Sequence, residues 1–218
     1  MAVELYDEHE QGERVRKWIR EYGISIVTGL VLAFGGIFGF RYWQDHQANQ
    51  KVVAANLFTV IQTEVEAGRS TEAQAQFETL QAQVPRSAFV GLSALVLAAG
   101  HIDDGRLEPA ARLYREVLDK RRMESLWPVA RLRLARVLEA QGHLQDALGV
   151  LDGVAVPPGH KAAWAELRGD LLLGLGRRDE ARLAFEQAID AGEGGALGQR
   201  MLQMKIDATG PGAGENQS

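Results

Sequence analysis

Cysteine is absent from this 218-residue chain. Disulfides, cysteine–zinc sites and thiol chemistry are therefore excluded. The absence agrees with an oxidising compartment, where a stray thiol is a hazard, without demanding one. Runs of β-branched residues are scarce, while Ala, Leu, Arg, Glu and Gln recur throughout. That balance disfavours sheets and favours helices. The five histidines, His9, His46, His101, His143 and His160, form no HExxH or comparable ligand spacing. No catalytic residue, cofactor site or metal site is expected, so the sequence reads as that of a non-enzyme. An unbalanced positive field of the kind that grips nucleic acid is also lacking, since the net charge is −5.

What is present is patterned. Hydrophobic residues make up 46% of the chain, enough for a core. Residues 106–136 carry nine basic and four acidic side chains, whereas residues 139–218 carry seven and twelve. The basic band includes Arg112, Arg115, Lys120, Arg121, Arg122, Arg131, Arg133 and Arg136. Its plain reading is a solvated surface; its functional reading is attraction for acidic partners or anionic headgroups.

Ile24 to Phe40 contains no charged residue. Seventeen to twenty-one helical residues rise about 26–32 Å, close to the roughly 30 Å hydrocarbon core of a bilayer. Tyr22, Tyr42 and Trp43 stand where amphipathic rings prefer the interface, and Arg41 can reach the headgroups. The bulky Arg41-Tyr42-Trp43 argues against cleavage after a signal sequence. Arg14, Arg16, Lys17 and Arg20 precede the span, and only Arg41 closely follows it. The positive-inside rule thus leaves the N-terminus in the cytoplasm and sends the remainder across. Gly35 and Gly39 form a small-xxx-small spacing that admits another membrane helix.

Beyond the span the chain repeats. Gly68, Gly105, Gly142 and Gly176 are spaced 37, 37 and 34 residues apart. Each is followed at fixed distance by a small residue (Ala73, Ala110, Ala147, Ala181) and then by Phe77, Tyr114, Leu151 or Phe185. A further small or apolar residue follows at Leu80, Val117, Val154 or Ala188. This is the spacing of tetratricopeptide helix pairs. Pro85, Pro128 and Pro157-Pro158-Gly159 fall between copies, where helices must stop. Ser70 or Thr71, Asp103 or Asp104, and Asp179 lie near second-helix starts and are expected to cap them or to favour the positive end of the helix dipole. The first helix of the first copy, about 52–67, should continue the membrane helix, since no Gly or Pro intervenes after Arg41. A helix over about 197–208, with Met201, Leu202, Met204 and Ile206, should cap the stack.

The expected fold is all-α: a single N-terminal transmembrane helix followed by a tetratricopeptide-like solenoid. Its parts are a cytoplasmic segment 1–21, the span 22–43, a repeat domain 44–208 with its capping helix, and a disordered tail 209–218. First helices of such stacks line the concave side. Register places Phe58, Leu92, Leu95, Leu132, Arg136, Glu139, Glu166 and Asp170 toward that groove. His101, on a first helix, is expected to be structural.

Several segments carry a family likeness. They are Glu10-Gln11 in an acidic start, the basic run to Trp18, and Arg41-Tyr42-Trp43 with His46 and Gln47. Further on stand Leu132 to Val137, Leu167-Arg168-Gly169-Asp170, and Gln203 to Asp207. In these the chain resembles the YfgM family, ancillary subunits of the bacterial SecYEG translocon, over nearly all of residues 1–208. The resemblance implies a single-pass inner-membrane protein with a periplasmic repeat domain. It implies partners in the translocon, a PpiD-like periplasmic chaperone and newly exported chains. It also implies an alternative role as a membrane-anchored regulator of an envelope stress response, acting through a cytoplasmic regulator.

Overall fold

The computed structural model describes residues 5–192 and 195–210. The expected tail beyond Gly210 and the first four residues lie outside the described residues. Among the described residues there is no strand, as the composition predicts. Two units are distinguished, Met1–Val52 and Val53–Ser218.

Helix α1, Leu5–Glu66, is assigned without interruption over 62 residues. In the first unit it carries the uncharged segment, which is long and apolar enough to cross a membrane. Ile24, Val27, Leu30, Val31, Leu32, Phe34 and Phe38 are all exposed. Water would oppose so continuous an apolar band, and hydrocarbon would not. Residues 44–52 are exposed, and the second unit runs from Val53.

The second unit is a stack of antiparallel helix pairs. Gly68 turns the chain from the end of α1 into α2 (Ser70–Gln83), and α3 (Ala88–Asp103) pairs with α4 (Leu107–Asp119). Helix α5 (Trp127–Ala140) pairs with α6 (Leu144–Leu151), and α7 (Lys161–Gly174) with α8 (Arg178–Asp190). Helix α9, Gly195–Ala208, follows as the cap and buries Leu202 and Ile206. Each pair turns at the predicted glycine. Gly68, Gly105, Gly142 and Gly176 have φ of +70, +73, +79 and +76°, a region that a Cβ disfavours. At the third turn the Gly142 N–H donates to Glu139 O at 2.8 Å and His143 N–H to Leu138 O at 2.9 Å. These two bonds satisfy carbonyls that a helix end leaves open.

The chain re-enters a helix directly after each such turn, so Arg69, Arg106, His143 and Arg177 take the N-cap positions with no side-chain cap. The side-chain caps expected of Ser70, Thr71, Asp103, Asp104 and Asp179 are therefore not made, whereas Asp179 stands in the first turn of α8, where its charge favours the helix dipole. Ser70 is instead buried in the first turn of α2 and donates to the Asp104 carboxylate at 2.6 Å. Ser87 caps α3, accepting from the Phe89 N–H at 3.2 Å.

The small–aromatic–small register accounts for the core. Ala73, Ala110, Ala147 and Ala181 are fully buried, as are Tyr114 and Phe185. Burying one such large side chain contributes about 1.5–3 kcal/mol. Only Val154 leaves the pattern. Helix α6 ends at Leu151, because Gly153 at φ +73° turns the chain before the prolines are reached. The open carbonyls there are taken by Arg131 Nη1 on Val150 O at 2.9 Å and by Trp164 Nε1 on Leu151 O at 3.1 Å. One repeat earlier, Trp127 Nε1 donates to Val117 O at 3.1 Å in the same way. Thr209 is buried and Gly210 accepts from Arg182, so the first two residues of the expected tail are packed.

Gly169 on α7 sets the closest approach. A Cβ added there would overlap the Phe185 ring, whereas one at Gly149, within α6, would meet nothing within 4 Å. Gly169→Ala should therefore cost about 1–3 kcal/mol through overpacking. Gly149→Ala should gain about 0.5–1 kcal/mol from helix propensity. Urea midpoints of the two variants, shifted in opposite directions, would check this.

Candidate protein-binding groove

The end of α1 and the first helices α3, α5 and α7 present the candidate residues. Phe58, on α1, packs its ring on Phe89 with centroids 5.4 Å apart and planes at 41°. Leu92 and Leu132 are half-buried. Leu95 is 7% exposed and belongs to the core, so its expected projection into the groove is corrected. Successive helical residues are turned about 100° apart; the half-buried stripe on α3 is Leu92, Val96 and Ala99. Arg136 is exposed and Glu139 half-buried.

Glu166 and Asp170 are already engaged. Lys205 Nζ, on α9, lies 2.7 Å from Glu166 Oε1 and 2.7 Å from Asp170 Oδ2, and 5.6 Å from the Phe185 ring centroid. Burial alone would lower the Lys205 pKa, but hydrogen bonds to Asp170 and Glu166 outweigh it and raise it. Glu139 shares this field. Burial and then the Asp170 charge push its carboxyl up, against the opposing pull of Arg136 and Lys205.

Between α3, α4 and α5 lies an open cleft of about 280 Å³. Ala99, Ile102, Leu107, Val137 and Ala140 make its apolar walls, with Arg133, Arg136 and Asp103 at its edge and Tyr114 also lining it. The Tyr114 hydroxyl is buried without a hydrogen-bond partner. A second cleft, of about 480 Å³, opens between α2 and α4 beside His101. His101 is 4% exposed, in keeping with its expected structural role, and burial followed by Arg106 lowers its pKa.

Part of the basic band is engaged within the fold. Arg115 pairs with Glu108 at 3.7 Å, Lys120 pairs with Glu116, and Arg131 is spent on Val150 O. Gly35 and Gly39 lie on an exposed stretch of α1, and a Cβ added at either would meet nothing within 4 Å. Lys205, Trp127, Trp164 and the lone Tyr114 hydroxyl were not legible as site or structural residues in the sequence. Only the 37-residue interval between the two tryptophans hinted at a shared role.

Stacked helix pairs with glycine turns and a capping helix define a tetratricopeptide repeat-like protein. A family model described as a tetratricopeptide repeat-like domain matches residues 16–211. Among solved structures, MamA 41-end from Desulfovibrio magneticus RS-1 superposes with a TM-score of 0.53 at 15% identity, covering 72% of this chain and 93% of that one. A putative kinesin light chain from Podosopora anserina with nearly identical TPR-like repeats gives 0.52 at 16% identity, covering 71% and 84%. These likenesses concern the fold alone. The ancillary SecYEG translocon subunit of Escherichia coli (strain K12) is 32% identical over 206 residues, 94% of this chain and 98% of the relative. That of Haemophilus influenzae is 28% identical over 207 residues, 95% and 99%. The chain belongs to this family, the YfgM family of ancillary SecYEG translocon subunits.

Two outcomes are expected of the charged cluster. Lys205→Met should destabilise the unit by about 1 kcal/mol, discounted for partial exposure, and Asp170→Asn added to it should restore part of the loss. A double-mutant cycle in urea measures the coupling. For Glu139 the folded pKa is raised, so its contribution favours the folded state below the ordinary value of about 4.3 and is lost as pH rises through the folded value. Glu139→Gln should therefore be more stable than the parent at pH near 7, and the difference should vanish near pH 4 in parallel urea titrations.

Proposed function

We propose that this chain is a bacterial inner-membrane subunit accessory to the SecYEG translocon, with a repeat domain that holds another polypeptide. Family membership supports the translocon association, since the relatives carry that name over nearly their whole length. The apolar segment of α1 supports the anchor. Arg14, Arg16, Lys17 and Arg20 before the span support a cytoplasmic N-terminus and a periplasmic repeat unit. The observation that carries the binding role is the open cleft between successive first helices, bordered by charge. The polypeptide held there is a membrane-anchored chaperone of the PpiD-like kind or a newly exported chain. A scaffold of this kind performs its role without catalysis. Gly35 and Gly39 are the positions on which another membrane helix would close.

A photo-crosslinking residue at Gly35 in native membranes should yield translocon subunits, and one at Ala140 should yield a periplasmic chaperone or exported chains. Protease admitted only to the periplasm should remove the repeat unit and spare a short N-terminal fragment. Recovery of neither class of partner, or protection of the repeat unit, would refute the reading.

A further inference from the structure

We infer that the cleft between α3, α4 and α5 is a specificity pocket that seats one bulky apolar side chain of an extended polypeptide bearing a carboxylate beside it. The inference deepens the proposed protein-binding role and rests on it. Three observations point to this occupant.

The first is size and lining. About 280 Å³ is less than the roughly 300–1,000 Å³ of pockets that enclose drug-sized ligands, and suits a side chain or two. Its walls are aliphatic, so water within gains little and an apolar group gains much.

The second is the charge at the edge. Arg115, Lys120 and Arg131 of the basic band are engaged within the fold. Among the described residues, neither Arg133 nor Arg136 has a carboxylate within 4.0 Å. Asp103 also lines the cleft, so two guanidinium groups and one carboxylate border it. A guanidinium presents paired N–H donors that match a carboxylate.

The third is the Tyr114 hydroxyl. Tyr114 lines the same cleft, and its buried hydroxyl has no hydrogen-bond partner within 3.5 Å. Buried polar groups are rarely left so, and an orphan donor beside an open cleft awaits an acceptor. Burial pushes the phenol pKa up, so it keeps its proton, although the Arg133 guanidinium works the other way. A guanidinium can only donate, so it leaves that proton free for a partner's oxygen.

The acidic end of the same first-helix row is closed to this chemistry. Glu166 and Asp170 already hold Lys205. A partner's cation would have to displace that lysine, whereas a partner's anion finds Arg133 and Arg136 open.

The test uses the full chain in detergent micelles and fluorescent synthetic peptides with one Gly/Ser frame around a single Phe, flanked by Asp, by Lys or by Ser. Anisotropy should show the Asp-flanked peptide binding about tenfold or more tightly than the Lys-flanked one, with the preference shrinking as salt rises. Arg133→Glu with Arg136→Glu, both at exposed positions, should invert the order of the two peptides. Ala99→Phe, which fills the cleft, should weaken every peptide while circular dichroism stays unchanged. Absence of binding, equal affinity for all flanks, or an unaltered order in the double variant would overturn the inference. If crosslinks from Ala140 to periplasmic proteins persisted in that event, the pocket would be wrong and the wider reading would stand.

Discussion

Two antiparallel helices can stack closely only where one of them offers almost no side chain at the crossing. In this chain that condition is met once per repeat, by Ala73, Ala110, Ala147 and Ala181, all fully buried. Gly169 meets it from the opposite helix, against the face of Phe185. The aromatic residue and the small residue are two halves of one packing event. The ring fills the space toward the next helix that the small residue opened. Glycine turns in the left-handed region then make the reversal short enough for the two helices to stay in contact. Without the small contact the helices would stand apart, and the row of first helices that forms the cleft would have no fixed spacing.

Polar links between repeats refine that spacing. Ser70 bonds Asp104, and Gln81 bonds Glu116 at 2.6 Å, each linking neighbouring second-helix regions. The indoles of Trp127 and Trp164 close the ends of α4 and α6. These bonds each contribute modestly, about 0.5–1.5 kcal/mol, but they fix direction as well as distance. Hydrophobic contact alone sets how near two repeats lie; directional bonds limit how they rotate against each other.

How much of this was legible in the sequence follows from the same physics. Buried positions accept few residue types, so the repeat register and the turn glycines could be read from spacing. The span in α1 was legible because seventeen uncharged residues in a row, Ile24 to Phe40, have few explanations. Side-chain direction was less so. Leu95 and Val96 differ by one step, about 100° around a helix, and the choice between core and groove falls within that error. The Lys205 cluster joins residues 35 and 39 positions apart through tertiary packing, which no local pattern encodes. The end of α6 was not legible, because Gly153, an inconspicuous residue in sequence, turns the chain ahead of the more prominent prolines.

The groove's charges differ in whether the chain itself has already answered them. At the α7–α9 end both carboxylates hold Lys205, which balances one of their two charges within the fold. Glu139, between that cluster and Arg136, has its carboxyl pKa pushed up by burial and then by the Asp170 charge. At the α3–α5 end the arginines stay exposed, so water solvates them and the free protein bears little cost for leaving them unpaired. The two ends of one row thus obey opposite rules. Charge that the fold must partly bury is paired internally and becomes structure, and charge that the fold leaves in water remains available for recognition.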